Sequence, residues 1–192
     1  MSNLTVKRTA IAEVVLLTPK RFGDNRGWFS ETYSTRAFDN ATGGVVFVQD
    51  NQAFSAARGT LRGLHFQAPP DAQSKLVRVI RGSIFDVAVD IRKGSPTYGK
   101  WVGETLTAEG GEQLFVPQGF AHGYCTLEPD TEVAYKVDGF YSPACDGGVL
   151  WNDETIGIEW PVAASEVILS EKDKVLPSLK SFNSPFTYSH RA

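Results

Sequence analysis

Apolar and polar positions alternate in short runs separated by Gly and Pro along most of the chain. Residues 4–17 carry Leu4, Val6, Ile11, Val14, Val15, Leu16 and Leu17 before Thr18-Pro19 breaks the run, predicting two short peripheral strands. A polar piece at 34–40 suits one helical turn. The run 45–51 (Val-Val-Phe-Val-Gln-Asp-Asn) predicts a strand that ends in amides, with Gln49 and Asn51 on the face of Phe47. Residues 75–80, then Arg81-Gly82 and 83–91, predict a β-hairpin. On its first strand Lys75 shares a face with Val77 and Val79. On its second, Phe85, Val87, Val89 and Ile91 fall on one side and Ile84, Asp86, Ala88 and Asp90 on the other. Strands follow at 101–106 and 113–116, and a second hairpin joins 124–127 to 132–137, with Tyr135 beside Val133 and Val137. From residue 141 the chain is loop-rich. Regular short strands with little 3.6-residue periodicity predict an all-β sandwich or barrel over a parallel α/β sheet.

One strand breaks its own pattern. In 59–67 (Gly-Thr-Leu-Arg-Gly-Leu-His-Phe-Gln) strict alternation sends Arg62 and His65 to opposite faces. Gly63 lies between them, and glycine inside a strand marks a bulge that re-aims the side chains after it. With a bulge there, both residues reach one cavity.

Length and composition narrow the possibilities. The 192 residues predict one domain over 1–192, with about 176–192 as a tail. A net charge of −3 with scattered Lys and Arg excludes a broad nucleic-acid surface, so an anionic ligand would need a local pocket. Arg26, Arg62, Lys75 and Arg78 either build that pocket or are solvated surface cations. Cys125 and Cys145 are too few and too far apart for a disulfide framework or a thiolate metal site, which fits a reducing, cytoplasmic setting. No apolar run approaches the ~18 residues of a membrane span, and no signal-peptide core is present at the start.

The chemistry-bearing residues are sparse. Of His65, His122 and His190, none has the one-residue spacing usual in metal-binding β-barrels, and His190 sits in the expected tail, so no metal is predicted. There is no Gly-x-Ser-x-Gly elbow and no glycine-rich phosphate loop. General acid–base chemistry by His, Tyr and carboxylates remains. Asp86 and Asp90, on an otherwise apolar strand, need partners; they serve either structural ion pairs with Arg or Lys, or the orientation of a catalytic group. Gln49 and Asn51 either bind a polar ligand or cap the adjacent loop, and Tyr135 is either a core residue or a functional one.

Several blocks together resemble the dTDP-4-dehydrorhamnose 3,5-epimerase family. They are 22–27 (Phe-Gly-Asp-Asn-Arg-Gly), 59–67, 75–79 (Lys-Leu-Val-Arg-Val), 86–92 (Asp-Val-Ala-Val-Asp-Ile-Arg), 95–97 (Ser-Pro-Thr), 117–123 (Pro-Gln-Gly-Phe-Ala-His-Gly), 151–153 (Trp-Asn-Asp) and 170–173 (Ser-Glu-Lys-Asp). The resemblance implies an all-β, cupin-like jelly roll with a few short peripheral helices, acting on a dTDP-linked 4-keto-6-deoxy sugar without metal or redox cofactor. It implies His65 as the base, held and made more basic by Asp173, and Tyr135 as the acid on the opposite face. Lys75 would sit near the C4 oxygen, His122 against the sugar, and Arg62 by the diphosphate or sugar. Arg26, Glu31, Gln49 and Asn51 would surround thymidine and diphosphate, with Phe22 and Tyr141 as aromatic neighbours of the base and Asp146 and Lys172 as further substrate contacts. Family members are homodimers that exchange an N-terminal strand, so Phe22, Arg26 and Glu31 would serve the other subunit's site. Relatives that epimerise one carbon or isomerise the keto sugar share the acid–base set. A non-catalytic sugar-nucleotide binding barrel would have no use for it.

Overall fold

Strands with apolar residues on one face must bury that face, and here two antiparallel sheets do so against each other. The computed structural model describes residues 3–189; His190, in the expected tail, lies outside the described residues. One sheet has the order β1-β2-β10-β7-β12-β5, built from β1 Leu4–Arg8, β2 Val15–Pro19, β5 Gln49–Ser55, β7 Lys75–Arg81, β10 Gln113–Val116 and β12 Thr131–Val137. The other has the order β13-β6-β11-β8-β9, from β6 Leu61–Gln67, β8 Ser83–Asp90, β9 Trp101–Thr107, β11 Phe120–Thr126 and β13 Asp146–Gly148. A detached hairpin pairs β3 Arg21–Asp24 with β4 Gly27–Ser30, and α1 spans Thr35–Thr42. The architecture is the expected all-β, cupin-like jelly roll. No helix among the described residues is long and apolar enough to cross a membrane.

The inner core takes Val77 and Val79 from β7, Val133 from β12, Ile84 and Ala88 from β8, and Phe120 and Tyr124 from β11. On β7, β8 and β12 these residues share the faces grouped by the two-residue period, whereas the face of β11 was not read from sequence. The five-stranded sheet is buried on its outer side as well, where Val87, Val89 and Ile91 pack with Leu64, Val149, Ile156 and Leu179. The expected tail therefore lies against that outer face over its described length, with Leu179 and Ser184 buried.

Both long hairpins expected from sequence are corrected. β7 pairs with β10 and β12, whereas β8 pairs with β11 and β9, so the chain crosses between sheets at Gly82. Gly82 has φ +77, and a Cβ there would lie 2.4 Å from Thr131 Oγ1. β11 and β12 are split between the sheets in the same way. Crossing turns each apolar face inward onto a shared core, which side-by-side pairing in one sheet would not do. The strand expected at 45–51 starts later, at Gln49; Phe47 instead packs edge-on to Tyr33 in the cluster around Phe38. The single turn expected at 34–40 is an eight-residue helix, ended by Gly43 at φ 74 in the left-handed cap position.

Candidate active site

The bulge at Gly63 organises the site. β6 pairs with β11 at His65↔His122 and at Arg62↔Tyr124, so two residues of β6 oppose the single Gly123. Gly63 adopts φ +132, and a Cβ on it would come within 2.6 Å of Gly123 Cα. Leu61, Leu64 and Phe66 pack outward while Arg62 and His65 both turn inward. The conflict between Arg62 and His65 is thereby resolved as the glycine predicts.

A cleft of about 440 Å³ opens between the sheets. The five-stranded sheet contributes Arg62, His65, His122 and Tyr124; the six-stranded sheet contributes Lys75 and Tyr135, and the segment 168–173 closes one side. His65 and Tyr135 therefore reach the cavity from opposite sheets.

Asp173, at the start of a 3-10 turn (Asp173–Val175) and buried, accepts a 2.6 Å hydrogen bond from His65 Nε2–H. A proton held on Nε2 leaves Nδ1 as the basic nitrogen. Burial pushes the imidazole below its ordinary pKa. The Asp173 bond and charge pull it up, and Lys75 and Lys172 push it further down. Asp173 does raise the basicity of His65, as expected, but desolvation outweighs it and the net direction is down. The Lys75 ammonium is pushed down to about 8 by burial, against the attraction of Asp86 and Asp146. Burial raises the Tyr135 phenol, with Arg62 opposing. His122 Nε2–H donates to Asp86 Oδ1 at 2.7 Å, deep in the five-stranded sheet.

The remaining expected residues form a rim and a separate outpost. Gln49 and Asn51 pair across from Val137 and Tyr135, so they share the inward face of Tyr135, and Gln49 Nε2 donates to Asn51 Oδ1 at 2.8 Å. Asp146 binds the Lys172 ammonium and accepts a 3.4 Å hydrogen bond from the exposed Tyr141 hydroxyl. Phe22, Arg26 and Glu31 are not brought to this cleft. Phe22 and Arg26 lie on or at the tip of the β3–β4 hairpin, where Arg26 bonds Asp24, and exposed Glu31 directly follows it. Arg78, a sequence candidate for an anion pocket, is corrected: it lies on the opposite face of β7 from Lys75, beside Gln113 and Ile80.

One site residue was missed from sequence, and another was left between two readings. Tyr124 stands two positions after His122 on one strand and so shares its face, a parity obscured by starting a new strand at residue 124. Asp86, left open between an ion pair with Arg or Lys and the orientation of another site group, bonds His122. Among the described residues no cluster of three or more His, Cys, Asp or Glu could hold a metal ion.

The family model described as dTDP-4-dehydrorhamnose 3,5-epimerase matches residues 8–181. A dTDP-4-dehydrorhamnose 3,5-epimerase of Sinorhizobium fredii is 54% identical over 179 residues, 93% of this chain and 91% of that protein. The structure of a Bacillus anthracis dTDP-4-dehydrorhamnose 3,5-epimerase with TDP and PPi bound aligns with a TM-score of 0.87 at 50% identity, covering 91% of this chain and 99% of that one. A Legionella pneumophila dTDP-6-deoxy-D-glucose-3,5-epimerase in complex with dTDP-4-keto-L-rhamnose aligns with a TM-score of 0.92 at 39% identity, covering 97% and 99%. An acid–base cleft between the sheets of a jelly roll, and similarity along almost the whole chain, place this protein in the dTDP-4-dehydrorhamnose 3,5-epimerase family.

Proposed function

We propose that the protein inverts C3 and C5 of dTDP-4-dehydro-6-deoxy-D-glucose to give dTDP-4-dehydro-L-rhamnose, an isomerase step toward dTDP-L-rhamnose. The observation that carries the reading is the approach of His65 and Tyr135 to one cleft from opposite sheets, with Lys75 lining the same space. Inversion needs that arrangement, because the proton must leave one face of the sugar and return to the other.

The C4 ketone acidifies the protons on C3 and C5, since loss of either gives an enolate. Neutral His65 takes the proton, and Asp173 stabilises the imidazolium that forms. The electron pair moves to the C4 oxygen, where the Lys75 ammonium meets the developing charge. Tyr135, kept protonated by its raised pKa, then gives its proton to the opposite face. His65 and Tyr135 return to their starting states by exchange with solvent, and the same cycle runs at the second carbon. The ketone is its own electron sink, so the reading calls for no cofactor.

Arg62 would hold the diphosphate by its forked donors, with His122 against the sugar. Gln49, Asn51 and Tyr141 would line the nucleotide end, and Asp146 and Lys172 would contact substrate at the rim. Phe22, Arg26 and Glu31 would complete the cleft of a second copy in a homodimer. Trp28 and Phe29 of the same hairpin, 59% and 70% exposed, support a partner on that surface. Two free thiols, Cys125 and Cys145, support a reducing, cytoplasmic location.

The test is incubation with dTDP-4-dehydro-6-deoxy-D-glucose in D₂O, following each carbon by NMR. Deuterium at both C3 and C5 with inverted product is expected. Deuterium at one carbon alone would make the protein a mono-epimerase, and none would overturn the enzyme assignment. His65→Ala is expected to abolish exchange at both carbons.

A further inference from the structure

Beneath the cleft lies a carboxylate that the mechanism above does not use. Asp86 is fully buried on β8, directly across from Tyr124 on β11, and faces the space between the sheets. Its Oδ1 accepts the 2.7 Å hydrogen bond from His122. Its Oδ2 is buried and finds no hydrogen-bond partner. An ionised oxygen left in that state is costly unless a positive charge stands near it. Its charge acts on Lys75 in the cleft, pulling that ammonium up against the burial that lowers it.

We propose that Asp86 is a positioning residue for the epimerisation: one buried carboxylate that orients His122 through Oδ1 and, through the field of Oδ2, keeps the Lys75 ammonium charged at the floor of the cleft. This deepens the function proposed above and rests on its assignment of Lys75 to the enolate oxygen. Holding Nε2–H of His122 on Asp86 leaves Nδ1 as an acceptor for a sugar hydroxyl. A charged Lys75 supplies what the enolate requires at the moment charge develops.

The groups around Lys75 leave Asp86 the main attractive charge. From β6 come His65 and Arg62, from β12 the neutral phenol of Tyr135, and from β11 His122 and the phenol of Tyr124, which burial pushes up to about 12. Asp146 on β13 also attracts Lys75, but it is already bound to the Lys172 ammonium. Asp173, across the cleft, is bonded to His65.

The experiment is the pH profile of kcat/KM for wild type, Asp86→Asn and Lys75→Arg, over roughly pH 5–10. Wild type is expected to lose activity on the alkaline side near the Lys75 value of about 8. Asparagine keeps an acceptor for His122 but not the charge, so the alkaline limb should move down by about one unit or more while the acid limb set by His65 stays. A uniform loss of rate with both limbs unmoved would show that Asp86 merely packs, and overturns the inference. Should Asp86→Asn not yield folded protein, His122→Ala decides instead. It frees Oδ1, so the alkaline limb should move up, and an unmoved or lowered limb overturns the inference. Lys75→Arg tests the underlying assignment separately, because a guanidinium does not titrate in this range and the limb should vanish. A limb that persists in Lys75→Arg refutes the role of Lys75. One that vanishes there but stays in place in Asp86→Asn refutes only the role of Asp86.

Discussion

Replacing Asp173 with asparagine keeps the shape of the side chain and removes the charge that faces the imidazolium of His65. The carboxylate is 3% exposed and 2.6 Å from Nε2, so its hydrogen bond strengthens sharply when the ring takes the substrate proton. A hydrogen bond to a charged group is worth about 1.5–3 kcal/mol, and at tenfold per ~1.4 kcal/mol the loss in kcat is roughly 10- to 150-fold. Asparagine can also turn its amide toward the ring and favour the wrong tautomer, which adds to the loss. The pH dependence carries a second signature. His65 acts as the neutral base, so activity is present above its pKa and lost as pH falls through it. In the wild type burial lowers that pKa while Asp173 pulls it up. Without the carboxylate only the lowering influences of burial, Lys75 and Lys172 remain, and the acid limb moves to still lower pH. The variant is thus slower at its plateau yet holds that plateau further into acid. Deuterium wash-in at C3 and C5 in single-turnover mixtures, measured across the acid limb, reads both effects. A plateau rate within twofold of wild type, or an acid limb that moves upward, would refute the role given to Asp173.

Tyr135→Phe is expected to cut formation of inverted product by about 100-fold or more while wash-in at C3 continues, because abstraction needs only His65; undiminished inversion by NMR would remove Tyr135 as the acid. Gly63→Ala puts a Cβ 2.6 Å from Gly123 Cα at φ +132, which should cost about 2–5 kcal/mol and lower the urea midpoint by about 1–2 M, together with loss of activity. A midpoint unchanged within error would mean the bulge tolerates a side chain. Asp90 is buried and bonded to Arg92, Ser95 and Thr97, so Asp90→Ala should destabilise the fold by about 3–5 kcal/mol, read from the same denaturation. Burial would raise the Asp90 carboxyl, but those hydrogen bonds win and hold it below its ordinary value. Its stabilisation is therefore present above the ordinary carboxylate range and lost as pH falls through the lowered folded value, and the gap between wild type and Asp90→Asn should narrow below about pH 4.

Much of the chain declares itself locally. The two-residue period grouped the side chains of β7, β8 and β12 by face, so Lys75 with Val77 and Val79, Asp86 with Ala88, and Tyr135 with Val133 were readable before any fold was known, though which face of β8 turns inward was not. Gly63 announced the bulge that turns Arg62 and His65 into one cleft, and the motif blocks carried the family. These features live in neighbouring residues, where the geometry of a strand ties sequence position to direction. Strand pairing does not. Two apolar strands joined by a short turn read as a hairpin, and only the shared core decided that β7 and β8, and then β11 and β12, belong to different sheets. The contact of His122 with Asp86 spans 36 positions, and that of His65 with Asp173, expected from the family resemblance but from no local pattern, spans 108. The direction of the His65 shift was equally out of reach, because it is a balance between desolvation and a carboxylate, and desolvation depends on everything packed around the ring. Alternation and glycine placement are properties of a segment, whereas pairing, burial and the charge a side chain feels are properties of the whole assembly of segments.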